Sequence, residues 1–160
     1  MSLADLINRL RPEEYWAKGT YYLADRPSEP RPLIVSCTLF SDGAKSLLIE
    51  GTYRHHAHAT SHPFSLRIPL DSPTPLCELN CSHTGAIAGR LHSAGGCNVL
   101  LMTGPKSAFS AQFEVSPSGS IHVTGAVNAG EHCFLFTASG DVGPERETLG
   151  NVVAIGARRG

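Results

Sequence analysis

A chain of 160 residues with 41% hydrophobic side chains can bury one sizeable core, and a single domain spanning 1–160 is the expectation. Charged residues make up only 17%, against 16 glycines and 11 prolines, a composition of many turns and few helices. The formal net charge of -1 offers no general attraction for phosphate, and the one arginine pair outside mixed surroundings is Arg158-Arg159, which argues against nucleic acid as a partner.

Residues 1–12 hold the helical pattern: Ser2 can cap a turn containing Asp5, and Leu3, Leu6, Ile7 and Leu10 form one apolar stripe before Pro12. This start lacks the apolar run of about 7 to 15 residues that marks a secretory signal. No segment approaches the roughly 18 apolar residues of a membrane helix, so no membrane partner is expected. The five cysteines, Cys37, Cys77, Cys81, Cys97 and Cys133, are odd in number and scattered, unlike a disulfide scaffold. A cytoplasmic protein is the expectation.

From about Lys18 onward the hydrophobic period becomes two. Strands are predicted at 18–23, 33–40, 46–58, 64–70, 86–92, 98–102, 109–115, 121–127, 132–137 and 151–157, with a long polar loop at 138–151. Phe64, Leu66, Ile68 and Leu70 alternate with Ser65 and Arg67, and Phe109, Ala111, Phe113 and Val115 alternate with polar residues in the same way. Each such strand has one dry and one wet face. Short turns, such as Ser116-Pro117-Ser118-Gly119-Ser120 and Asn128-Ala129-Gly130, imply antiparallel neighbours in sequence order. The predicted fold is all-β: an antiparallel meander closed into a small up-and-down, calycin-like β-barrel of about eight to ten strands with a short N-terminal helix. A two-sheet β-sandwich is the alternative.

Gly19, Gly51, Gly89 and Gly125 lie inside predicted strands, in Lys-Gly-Thr-Tyr, Glu-Gly-Thr-Tyr, Ala-Gly-Arg-Leu and Thr-Gly-Ala-Val. Glycines at such positions mark sharp coiling, as a small closed barrel requires. In shape the pattern resembles avidin-like and lipocalin-like barrels, whose meandering strands repeat glycine-aromatic pairs.

The densest chemistry lies in Tyr-Arg-His-His-Ala-His-Ala-Thr-Ser-His, residues 53–62, with four histidines in ten positions. If one strand runs over 46–58, alternation puts Leu47, Ile49, Tyr53 and His55 on the dry face and Arg54, His56 and His58 on the wet one. A hairpin turning near Thr60 and Ser61 would set Tyr53 opposite Ile68, His55 opposite Leu66 and Arg54 opposite Arg67. His62, before Pro63, is expected to be exposed.

His56 and His58 have a spacing that could serve Zn or Cu with a third ligand, and Cys77, Cys81 and His83 offer soft ligands within seven residues. Both sets lack a second ligand pair, so they are weak metal candidates, and solvated histidines and packed thiols are the simpler readings. The sequence specifies no cofactor. The esterase elbow, phosphate loop, His-Glu-x-x-His and dinucleotide fingerprints are all absent. Wet-face Glu114, His122, Arg67, Arg90 and His92 fit an ordinary half-exposed surface.

The leading expectation is a small-molecule-binding barrel with a mostly apolar interior pocket: Tyr53 and His55 supply the polar handle, and Trp16, Tyr21, Phe64, Leu66, Phe109 and Phe113 the walls. The partner would be a small apolar ligand. Three alternatives stand beside it: an enzyme of cyclase or isomerase type using the same cavity, an oligomerising structural protein with a filled core, forming a homo-oligomer, and a Zn- or Cu-binding protein.

Overall fold

Period-two alternation over strands joined by short turns gives a meandering sheet, and in this chain its ends meet. The computed structural model describes residues 13–42, 45–55, 59–94 and 97–143. These form ten strands: β1 (Glu14–Leu23), β2 (Arg31–Asp42), β3 (Ser46–Arg54), β4 (His62–Pro69), β5 (Leu76–Cys81), β6 (Gly85–Ala94), β7 (Cys97–Thr103), β8 (Ser107–Val115), β9 (Ile121–Ala129) and β10 (His132–Val142). Each pairs antiparallel with its sequence neighbours, and β1 pairs with β10 from Tyr15↔Val142 to Leu23↔Phe134, closing the barrel. The up-and-down barrel is therefore the fold, and the sandwich is not. Closure leaves no open sheet edge among the described strands. The predicted helix at 1–12, strand at 151–157 and residues His56 and His58 lie outside the described residues.

Several elements differ from expectation. β5 had no predicted counterpart, because its run of six residues is punctuated by Glu78 and Asn80 and looks like a metal-ligand loop. Its dry face is nonetheless regular, with Cys77 and Leu79 buried. β10 continues through Ala138 to Val142, where a polar loop was expected: Ser139 and Asp141 sit on the wet face, while Ala138 and Gly140 face the packed side. The β3–β4 register is also different. Tyr53 pairs with His62, Gly51 with Phe64, Ile49 with Leu66 and Leu47 with Ile68. β3 ends at Arg54 and β4 begins at His62, so no tight turn at Thr60 and Ser61 joins them. This shift removes the expected Arg54–Arg67 opposition, because Arg67 lies across from Leu48 and Glu78 and Arg54 across from Ile34. The alternation itself survives the six-residue slip, since an even shift preserves faces.

Strand glycines permit the tight coil. A Cβ on Gly89 would run into the Leu101 carbonyl of β7, and one on Gly125 would meet the Phe136 ring at 2.7 Å. Two-residue and short turns close the meander: Gly130 adopts φ 69° between β9 and β10, and the Gly104 N–H donates to the Ser107 carbonyl at 2.8 Å between β7 and β8.

The interior is uneven. Tyr15, Leu39, Leu47, Ile68, Cys77, Leu79, Ile87, Leu91, Leu100, Met102 and Val115 form a packed cluster. Most of them lie toward the end where β1 starts and β2 finishes, so this end is a solid floor. The inward Asn98 is fully buried there without penalty, accepting from Ser93 Oγ at 2.7 Å and donating to the Phe113 carbonyl at 3.1 Å.

Toward the opposite end the inward positions are mixed: Val35, Leu66, Phe109, Val127, Phe134 and Phe136 are only half-buried, while Tyr21, Leu79, Ile87 and Met102 are buried. Side chains on the inner face of a closed barrel reach solvent only through the interior. The upper interior, or cup, has an apolar, phenylalanine-rich wall, in which Phe109 and Phe136 stack at 6.0 Å.

Candidate functional site at the barrel mouth

The meander brings the C-terminal ends of odd strands and the N-terminal ends of even strands to one mouth. Alternation carries Tyr53 on β3, His62 and Phe64 on β4, and His132 and Phe134 on β10 onto the inner side there, because each shares parity with packed residues of its strand. His55 follows the last residue of β3, and His83 stands in the β5–β6 turn. Four imidazoles thus meet from four different chain segments.

Their rings are close. His55 lies 4.8 Å from Tyr21 and 6.1 Å from His62, His62 lies 5.0 Å from His83, and Tyr53 lies 5.3 Å from His62. His83 also meets Phe134 edge-on at 5.6 Å, and His132 meets Phe134 at 6.0 Å. Because β10 and the β5–β6 turn stand on opposite walls, the His83–Phe134 contact bars the mouth. The Tyr53 hydroxyl hydrogen-bonds His83 Nδ1 at 2.5 Å. When Tyr53 donates, the His83 proton rests on Nε2, which is left to donate elsewhere.

The electrostatics follow from this crowding. Burial first, then the neighbouring Cys81 thiol, pushes the Tyr53 hydroxyl well above its ordinary pKa, so it stays protonated. Burial, followed by His62, His55 and His132, lowers the pKa of His83. The His83 ring is thereby held neutral, and added positive charge among these rings is unfavourable unless an anion accompanies it. Cys81 Sγ lies 3.0 Å from Thr84 Oγ1 at the same rim.

The proposed wall and handle residues separate as follows. Tyr21, Tyr53, His55 and Phe64 come together at the mouth, Leu66 stands one inward step below Phe64 on β4, Phe109 lines the far wall, and Phe113, opposite Asn98, lies toward the floor. Trp16 does not join them. It has the opposite parity to the buried Tyr15, so it lies on the outer face opposite Ser36, and its buried Nε1 has no hydrogen-bond partner among the described residues. Its aromatic character suggested a pocket wall, but parity decides the face. His62 is half-buried at the mouth, where exposure was expected, and His83, His132, Phe134 and Phe136 were not anticipated. Parity with Phe64, Leu66 and Ile68 would have found His62.

The soft-ligand set disperses. Cys77 is fully buried in the floor, its Sγ 3.6 Å from the Pro75 carbonyl, while Cys81 and His83 stand at the mouth with other partners. Among the described residues, no group of three or more His, Cys, Asp or Glu is placed to share a metal ion. On the outer face, Glu114, His122 and Ser139 form a row across β8, β9 and β10, with His122 Nδ1 2.7 Å from Ser139 Oγ. All three are open to water, which leaves a serine–histidine pair without the enclosed setting that acyl transfer needs.

No family model matches the chain, and no curated protein matches it. Solved structures do resemble the barrel. Rv2717c from M. tuberculosis is 12% identical with a TM-score of 0.63, over 89% of this chain and 97% of that one. The S-type phycobiliprotein lyase CPES from Guillardia theta is 11% identical with a TM-score of 0.63, over 91% and 94%. At such identities the likeness establishes the fold. Among the described residues, no helix is long and apolar enough to cross a membrane.

Proposed function

We propose that this protein binds a small, largely apolar molecule inside the cup, admitted through the histidine mouth, as a calycin-like binding barrel. One observation carries the reading: inward side chains of the upper barrel, among them Phe109, Val127, Phe134 and Phe136, keep accessible surface inside a closed wall. A filled oligomerising barrel would bury these positions as completely as Leu91 and Leu100 are buried in the floor. Apolar walls with a few convergent polar groups at one opening are the usual make-up of a small-molecule site. The fold neighbours add analogy only, and the reading does not rest on them.

The test is native mass spectrometry of freshly purified protein, joined to fluorescence titration with 1-anilinonaphthalene-8-sulfonate. Wild type should retain a small molecule or enhance the probe's emission. Val127→Trp, which projects an indole between Phe109 and Phe134, should abolish either effect while still unfolding cooperatively. Neither retention nor enhancement in wild type would retire the reading.

A second reading is favoured by the Tyr53–His83 hydrogen bond. A protonated phenol paired with a neutral imidazole beside an apolar cup is a proton donor–acceptor couple suited to isomerisation. In this reading His83 is the base and Tyr53 the proton donor. Turnover of any cup-bound substrate that survives Tyr53→Phe would exclude it.

A further inference from the structure

Resting on the cup reading, we propose that the mouth recognises a carboxylate: the ligand is an apolar acid, held head outward among His55, His62, His83 and His132 with its tail against the phenylalanine wall. The geometry is that of an anion seat. Four imidazoles converge within ring separations of 4.8–6.1 Å of one another or of a shared aromatic neighbour, Tyr21 or Phe134. The groups facing His83 are Tyr53 from β3, His62 from β4, His55 beyond β3 and His132 from β10, and the charges acting on it are histidines. The nearest acidic residues by sequence, Asp25, Glu29 and Glu131, lie on exposed turn or loop positions at this end.

A set of imidazoles with no carboxylate among them gains most from a ligand that supplies one, because charge-assisted N–H···O⁻ bonds are about twice as strong as neutral ones. Below the ring sits a wall of Phe64, Phe109, Phe134 and Phe136 that offers an anion nothing and an apolar tail a great deal. Head and tail are therefore sorted by the same opening. The His83–Phe134 bar has to part for entry, and the incoming carboxylate replaces its contact with a hydrogen bond from the imidazole.

The experiment compares matched acids and alcohols by calorimetric titration of the whole chain at pH 6. The pairs are octanoic acid with 1-octanol and 2-naphthoic acid with 2-naphthalenemethanol. We expect each acid to bind about tenfold or more tightly than its alcohol, consistent with one charge-assisted hydrogen bond. His62→Gln with His83→Gln should remove that preference and leave the alcohols unchanged. The better-binding pair distinguishes an aliphatic source of the acid from an aromatic one. Equal binding of acid and alcohol would overturn the carboxylate proposal while leaving the cup intact, and no binding of any of the four would overturn both. The wild-type comparison stands even if the double variant fails to fold.

Discussion

Leu100 on β7 and Leu66 on β4 both point into the barrel, yet truncating them should have unequal consequences. Leu100 is 3% exposed in the floor, whereas Leu66 is half-buried beside the cup. Leu100→Ala opens a cavity in close-packed surroundings and should cost about 3 kcal/mol, within the roughly 2–5 range of such changes. At Leu66 one side of the side chain already lacks packing partners, so the loss should be about 1 kcal/mol. With a urea slope of about 2 kcal/mol/M, the midpoints should fall by about 1.5 M for Leu100→Ala and about 0.5 M for Leu66→Ala. Equilibrium unfolding in urea, followed by tryptophan fluorescence and far-ultraviolet circular dichroism in parallel, measures both. Equal shifts would mean that the upper barrel is packed like the floor, and the cup would go with that result.

Acid should weaken the fold through His83. Its folded pKa lies below the ordinary 6.5, so the neutral form belongs to the native state, and the stability is present above that pH and lost as pH falls through the lowered value. The melting temperature should therefore drop between pH 7 and pH 5, and His83→Gln should flatten the drop; an unchanged slope would refute the assignment. Cys37 and Cys77 are pushed by burial to about 11, so at pH 8 only about one thiol in a thousand is ionised at either site. Both should react with Ellman's reagent more slowly than the half-buried Cys133, and five cysteines reacting in a single phase would contradict this. Gly89→Ala pushes a methyl group into the Leu101 carbonyl and should cost about 2 kcal/mol or more in thermal melts, because β6 and β7 must separate locally to admit it. An unaltered melt would show that the coil there is looser than described.

The parts legible in the sequence were those set by periodicity. The dry faces of β3, β4, β8 and β9, the glycine coils, and the hairpins after β8 and β9 follow from alternation and turn chemistry, which act over a few residues. β5 escaped because Cys-Glu-Leu-Asn-Cys is short and looks polar, and its partners Phe64 to Arg67 and Gly85 to Arg90 are what make it a strand. Trp16 was misplaced because aromatic character says nothing about face. The β3–β4 slip was invisible because pairing partners six residues apart satisfy the same alternation.

By itself the sequence determined that every second side chain of these short antiparallel strands leaves water, a demand that a closed barrel and a two-sheet sandwich both meet; the pairing of β1 with β10 decided for the barrel. Only the tertiary structure decided which ends share a mouth. Residues as far apart as Tyr21, His62, His83 and Phe134 meet because ring closure puts alternate strand ends together, a long-range constraint that no local pattern encodes. It also decided which inward positions are buried completely and which only in part, because packing depends on how side chains from ten strands share a common volume and not on the character of any one of them.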